Sequence, residues 1–171
     1  AIYGFGTFAS AIAMVWAGSL TDIMRVRRLG PIVLAALAAS CLFMAFNPWV
    51  ALLPVVIFCL RFTGQGMSTH IAAVGMSRWF AANRGKALSV ANLGFSIGEA
   101  TYPLLVVALM MFFAWQGIWV LAAFVAILSI PALVWLLREE RSPQSMATDG
   151  QSVGMNGRHW TRNQALVHPL F

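Results

Sequence analysis

Charge is what this 171-residue chain has least of: Asp, Glu, Lys and Arg make up 9% of it, against about 25% in an ordinary soluble domain. Acids are scarcest, five against eleven basic residues, and there are only three histidines, two cysteines and two tyrosines. So few carboxylates do not furnish paired acid–base chemistry, no His/Cys/Asp/Glu cluster has metal-ligand spacing, and there is no phosphate loop. The sequence therefore predicts no catalytic residues, no metal and no cofactor. Cys41 and Cys59 lie within apolar stretches, where a thiol reads as a small hydrophobe.

What is abundant is hydrocarbon. Hydrophobic residues are 60% of the chain and the mean hydropathy is +0.80. Residues 29–60 and 100–137 contain no charge at all, and each stretch is long enough for two membrane spans of about 20 residues. The net charge of +6 does not imply a nucleic-acid partner, because the basic residues sit in short turns between apolar runs and do not line one aqueous face. The pattern predicts an all-α integral membrane protein, a polytopic helical bundle whose main partner is the lipid bilayer.

Five spans are expected, at about 1–21, 30–46, 50–76, 86–113 and 116–137. Gly30 and Pro31 suit a helix start, and Asn47-Pro48 makes a turn. Trp49, Trp79, Trp115, Trp119 and Trp135 fall near span ends, as an interfacial aromatic belt would place them. Arg25, Arg27 and Arg28 follow the first span, Arg78, Arg84 and Lys86 the third, and Arg138 and Arg141 the fifth; the other two turns are uncharged. By the positive-inside rule the three basic turns are cytoplasmic in a cell (inner or plasma) membrane, so the first span runs inward. From residue 138 onward the composition becomes that of a linker, rich in Ser, Pro, Gln and Gly. Residues 138–171 read as a cytoplasmic loop leading toward a further helix that starts near Pro169. Ala1 already lies inside an apolar run and hydrophobicity returns at Phe171, so the chain reads as a fragment of a larger protein.

Three motifs carry a resemblance. Gly18-Ser19-Leu20-Thr21-Asp22 followed by Arg25, Arg27 and Arg28 closes the first span; Arg61-Phe62-Thr63-Gly64-Gln65-Gly66 lies within the third; and Ser77-Arg78-Trp79-Phe80-Ala81-Ala82-Asn83-Arg84-Gly85-Lys86-Ala87 leads into a span with Gly94 and Gly98. Together they resemble the second to sixth helices of a major facilitator superfamily transporter, plus its central loop, an incomplete N-terminal half. The third motif is most similar to the monocarboxylate and oxalate/formate branches. Two departures stand: Ile23 and Arg25 replace a usual basic residue and glycine, and Glu99, not proline, follows Gly98. The resemblance implies a secondary transporter of a small solute working by alternating access against a missing C-terminal helical bundle, with Gly18, Asp22, Arg25, Arg27 and Arg28 as a cytoplasmic gate. Such a fragment is not active alone.

The residues themselves point to a polar site. An ionisable group inside the bilayer costs about 2.5–3.5 kcal/mol on insertion scales, so Arg61 and Glu99 each require a partner or a wet cavity. Counted along a hairpin that turns near Phe80, they lie at equal depth and are candidates to pair with each other. Gly64, Gln65 and Ser68 share the helical face of Arg61, and Asn92 and Ser96 that of Glu99. Two readings stand: a structural ion pair, or a site in which Arg61 holds an organic anion and Glu99 exchanges a proton, as in a symporter, with Gln65, Asn92 and Ser96 lining it. Gly64, Gly66, Gly94 and Gly98 are expected at close helix contacts. His70 reads as a packed histidine, with a proton relay as the alternative, and Pro103, after Tyr102, as a tolerated membrane proline, with a hinge as the alternative. The alternatives to transport are a membrane scaffold or sensor, and an integral membrane enzyme; the latter's only support is Gly94-Phe95-Ser96-Ile97-Gly98, a Gly-x-Ser-x-Gly pattern within an apolar helix.

Overall fold

The computed structural model describes residues 2–80 and 83–138. The expected loop at 138–171 lies outside them, apart from Arg138. Five helical stretches are long and apolar enough to cross a membrane: Ile2–Ile23, Val26–Phe46, Val50–Trp79, Gly85–Met110 and Trp115–Leu136. The first is α1 (Ile2–Ala17) and the short α2 (Leu20–Ile23), broken at Gly18 and Ser19; the second is α3 (Val26–Phe46). The third joins a 3₁₀ turn (Val50–Leu52), α4 (Leu53–Leu60), a π-helical segment (Arg61–Ser68) and α5 (Thr69–Trp79), and α6 (Arg84–Met110) and α7 (Trp115–Leu136) follow.

Helix α3 starts four residues before the expected Gly30, because extended Arg25 serves as its N-cap. Pro31 is thereby carried inside the helix, near its start, where a proline that offers no N–H is tolerated better than further along. Asn47 closes the next turn with a side-chain bond in each direction: the Trp49 backbone N–H donates to its Oδ1 and its Nδ2 donates to the Trp49 carbonyl, both at 3.1 Å.

The third span lies between α1 and α3, and α7 packs on the far side of α3. One core joins Ala17, Val26, Leu29, Val33, Met67 and Ile71. A second, built from Ala38, Cys41, Ala123 and Ala126 with Trp119 against it, is the α3–α7 seam. Small side chains let these two helices close where lipid supplies no hydrophobic drive. Trp119 thus serves the seam, one turn inside α7, while Trp49 and Trp135 stand exposed near span ends. Outward-facing Phe5, Phe8, Trp16 and Phe124 are likewise exposed, the apolar surface that a bilayer solvates.

Along α1 the third span runs in parallel. A Cβ at Gly6 would meet Ile57, Gly66 meets Met14, and Gly18 meets His70. Between the first two contacts α1 uses eight residues and the third span nine; between the second and third each uses four. The surplus residue falls where the π segment lies, since a π turn takes up one residue more than an α turn. It keeps both contact rows turned toward α1.

Candidate functional site

Widening a helix leaves carbonyls poorly served, which hydrocarbon does not forgive. Hydroxyls repair this: Thr63 Oγ1 donates to the Cys59 carbonyl at 2.7 Å, Ser68 Oγ to the Thr63 carbonyl at 2.7 Å, and Thr69 Oγ1 to the carbonyls of Gln65 and Gly66. The polar residues that mark this stretch therefore have a backbone duty besides any ligand. On the segment, Arg61 Nη1 donates to Gln65 Oε1, and the Arg61 Cζ lies over the Tyr3 ring, 5.0 Å from its centroid. A guanidinium over an aromatic face is attracted by the ring quadrupole. On the same span, Phe58 and Phe62 stack on each other, 5.7 Å between centroids. Tyr3 is the residue that sequence reasoning missed; a polar-tipped aromatic facing an in-membrane arginine from the neighbouring span was its only signal.

Arg61 and Glu99 are not a pair. Glu99, with Asn92 and Ser96, is exposed on α6, and among the described residues Glu99 has no hydrogen-bond or charge partner. Equal depth along a hairpin says nothing of lateral separation. Helix α6 meets the third span along α5 and not substantially along α4 or the π segment, so the expected shared cavity does not form within this bundle. Glu99 borders an open hollow with Phe95, Gly98, Tyr102 and Pro103. An apolar groove of about 440 Å³ separates α6 from α3 and α7. Gly64 and Gly66 do face neighbours, Leu37 at 3.3 Å and Met14 at 2.8 Å from an added Cβ, whereas Gly94 and Gly98 have nothing within 4 Å. The close contact expected at those two glycines is absent among the described residues, because α6 stands apart. Ser96 lies mid-helix in α6, without the strand-to-helix turn that a nucleophilic serine of its pattern requires.

The Gly18-to-Asp22 motif is held from α5 at two rungs. His70 Nε2 donates to the Gly18 carbonyl at 3.1 Å and lies 3.3 Å from Thr21 Oγ1, which itself donates to the Gly18 carbonyl at 2.8 Å. Two turns on, Arg78 Nη2 donates to the Thr21 carbonyl at 2.8 Å and reaches Asp22 Oδ1 at 3.5 Å. A Cβ at Gly18 would crowd the Met14 carbonyl at 3.2 Å and stand in ordinary contact, 3.7 Å, with His70 Nε2. Arg25, Arg27 and Arg28 are exposed around this end, and Arg27 Nη1 donates to the Arg138 carbonyl at 3.3 Å. His70 was legible as a packed histidine; its partners came from the register with α1.

The rungs differ in strength. The Arg78 side chain is 10% exposed and that of Asp22 78%. Bonds from a charged donor contribute about 1.5–3 kcal/mol, while exposed, loosely formed ion pairs contribute about 0–1 kcal/mol. Arg78→Leu is therefore expected to destabilise the bundle by about 2 kcal/mol and Asp22→Asn by under about 1 kcal/mol, read by thermal unfolding in detergent. Equal losses would show that the ion pair, not the bond to the Thr21 carbonyl, holds α2.

Among the described residues no group of three or more His, Cys, Asp or Glu is placed to hold a metal. Five apolar spans among the described residues, four of them packed around two small cores, define a multi-pass α-helical membrane protein. Residues 1–170 match the sequence profile of the Major Facilitator Superfamily, and the chain belongs to that family, whose members are membrane transporters and not enzymes. No match was found among curated proteins or solved structures.

Proposed function

We propose that this bundle is one half of a secondary active transporter that moves a small organic anion by alternating access, with proton coupling through Glu99. The observation that carries the reading is Arg61: a guanidinium in the middle of a membrane span, fixed by Gln65 and Tyr3, with Nε and Nη2 unpartnered among the described residues. A half-buried, fixed cation with free donors is the recognition chemistry of a carboxylate. Glu99, exposed on a helix that stands apart, has room to gain and lose a proton as a second bundle closes on it. The glycine-to-Asp22 motif and its arginines act as the gate at the cytoplasmic ends, as the positive charge of the three basic turns supports.

The test is uptake of small organic anions into liposomes holding the full-length protein, with and without an inward proton gradient. Glu99→Gln is expected to abolish gradient-driven uptake while sparing substrate exchange, since exchange needs no net proton movement. Gradient-driven uptake that survives the substitution would remove Glu99 from the coupling. A protein that carries neutral solutes and no anions would remove the substrate class.

A further inference from the structure

The anion reading leaves one contact unused. We infer that Tyr3 is a positioning residue of the anion site: its ring backs the Arg61 guanidinium and sets the direction in which the free donors point. The inference rests on the anion-site reading and extends it to a second helix.

Arginine is a poor recognition element while it is free, because its long side chain has to be immobilised before its donors are aimed. Here the immobilisation comes from two helices. Gln65 Oε1, one turn along the same span, takes a bond from Nη1, and the Tyr3 ring, from α1, lies under Cζ at 5.0 Å. What remains is Nε and Nη2, with no partner among the described residues, two neighbouring donors on one edge that match the two oxygens of a carboxylate. The placement of Tyr3 is itself built. One turn along, on the same face of α1, Gly6 lets α1 close onto α4, where an added Cβ would lie 2.9 Å from the Pro54 carbonyl oxygen and 3.0 Å from Ile57. That approach brings the ring within reach of an arginine seven residues beyond Pro54. Tyr3 is about half exposed, so packing alone does not account for its position.

The electrostatic part of this contact can be varied without changing shape. Phenylalanine and its mono-, di- and trifluorinated forms at position 3 withdraw charge from the ring face stepwise. The readout, in the full-length protein in lipid nanodiscs, is modification of Arg61 by phenylglyoxal, followed by peptide mass spectrometry, with acetate as the protecting anion. Phenylalanine is expected to behave as tyrosine does, and the acetate concentration for half-protection to rise about tenfold across the fluorine series, with Tyr3→Leu as weak as the trifluorinated form. Undiminished protection across a flat series would overturn the role of Tyr3 and leave the anion site standing. Failure of acetate to protect Arg61 in the unmodified chain would overturn the anion site itself, and the positioning role with it.

Discussion

Replacing Gly6 with valine is expected to separate α1 from α4 and to cost the bundle about 3 kcal/mol or more. That is the upper end of the usual cost of overpacking, about 1–3 kcal/mol, for a specific reason. An added Cβ would lie 2.9 Å from the carbonyl oxygen of Pro54 and 3.0–3.1 Å from two carbons of Ile57. Side chains rotate away from an intruder, but a helix backbone does not. Relief therefore requires moving a whole span, and Tyr3, on the same face of α1, moves with it. Gly4 is the control on the same helix, since a Cβ there meets nothing within 4 Å and Gly4→Val leaves the seam intact. Thermal unfolding and monodispersity in detergent measure both. A Gly6→Val protein as stable as Gly4→Val would show that the α1–α4 contact is not made.

The second large effect concerns the proposed substrate. Arg61→Gln is expected to lower uptake of organic anions by the full-length protein at least about a hundredfold, because two charge-assisted hydrogen bonds of about 1.5–3 kcal/mol each are lost together with the only cation at that depth of the described spans. Arg61→Lys restores the charge but not the pair of parallel donors, so it is expected to recover only a small part of the loss. Full recovery by lysine would mean that charge alone is recognised, and no loss with glutamine would place the substrate elsewhere. A stability measurement alongside separates these outcomes from misfolding.

The spans were legible because charge is so scarce: uncharged runs and basic turns mark helices and connections without any appeal to packing. The boundaries were less so. Arg25, Arg27 and Arg28 read as a turn, yet two of the three lie in the first turn of α3, because nothing in a basic cluster forbids helix once an extended residue precedes it. In the site, Arg61 and Gln65 were visible as a polar stripe, and the structure brings them together. Their helix is π there and not α, which no local pattern announces. That register follows from where Gly6 and Met14 fall on the neighbouring helix. Glu99 was misjoined to Arg61 for the same kind of reason: depth is a one-dimensional quantity, and pairing is a matter of lateral approach. Tyr3, uncharged and flanked by apolar residues, offered no chemistry until an arginine stood over it.

One consequence of the π segment concerns heredity more than mechanics. Inserting or deleting a residue in a straight membrane helix turns everything beyond it by about 100°, so such changes rarely survive. The third span already holds its surplus residue in a widened turn, with hydroxyls tending the loosened carbonyls. At that place alone along the span, a change of one codon in length alters the local winding while Ile57 and His70 keep their places against α1.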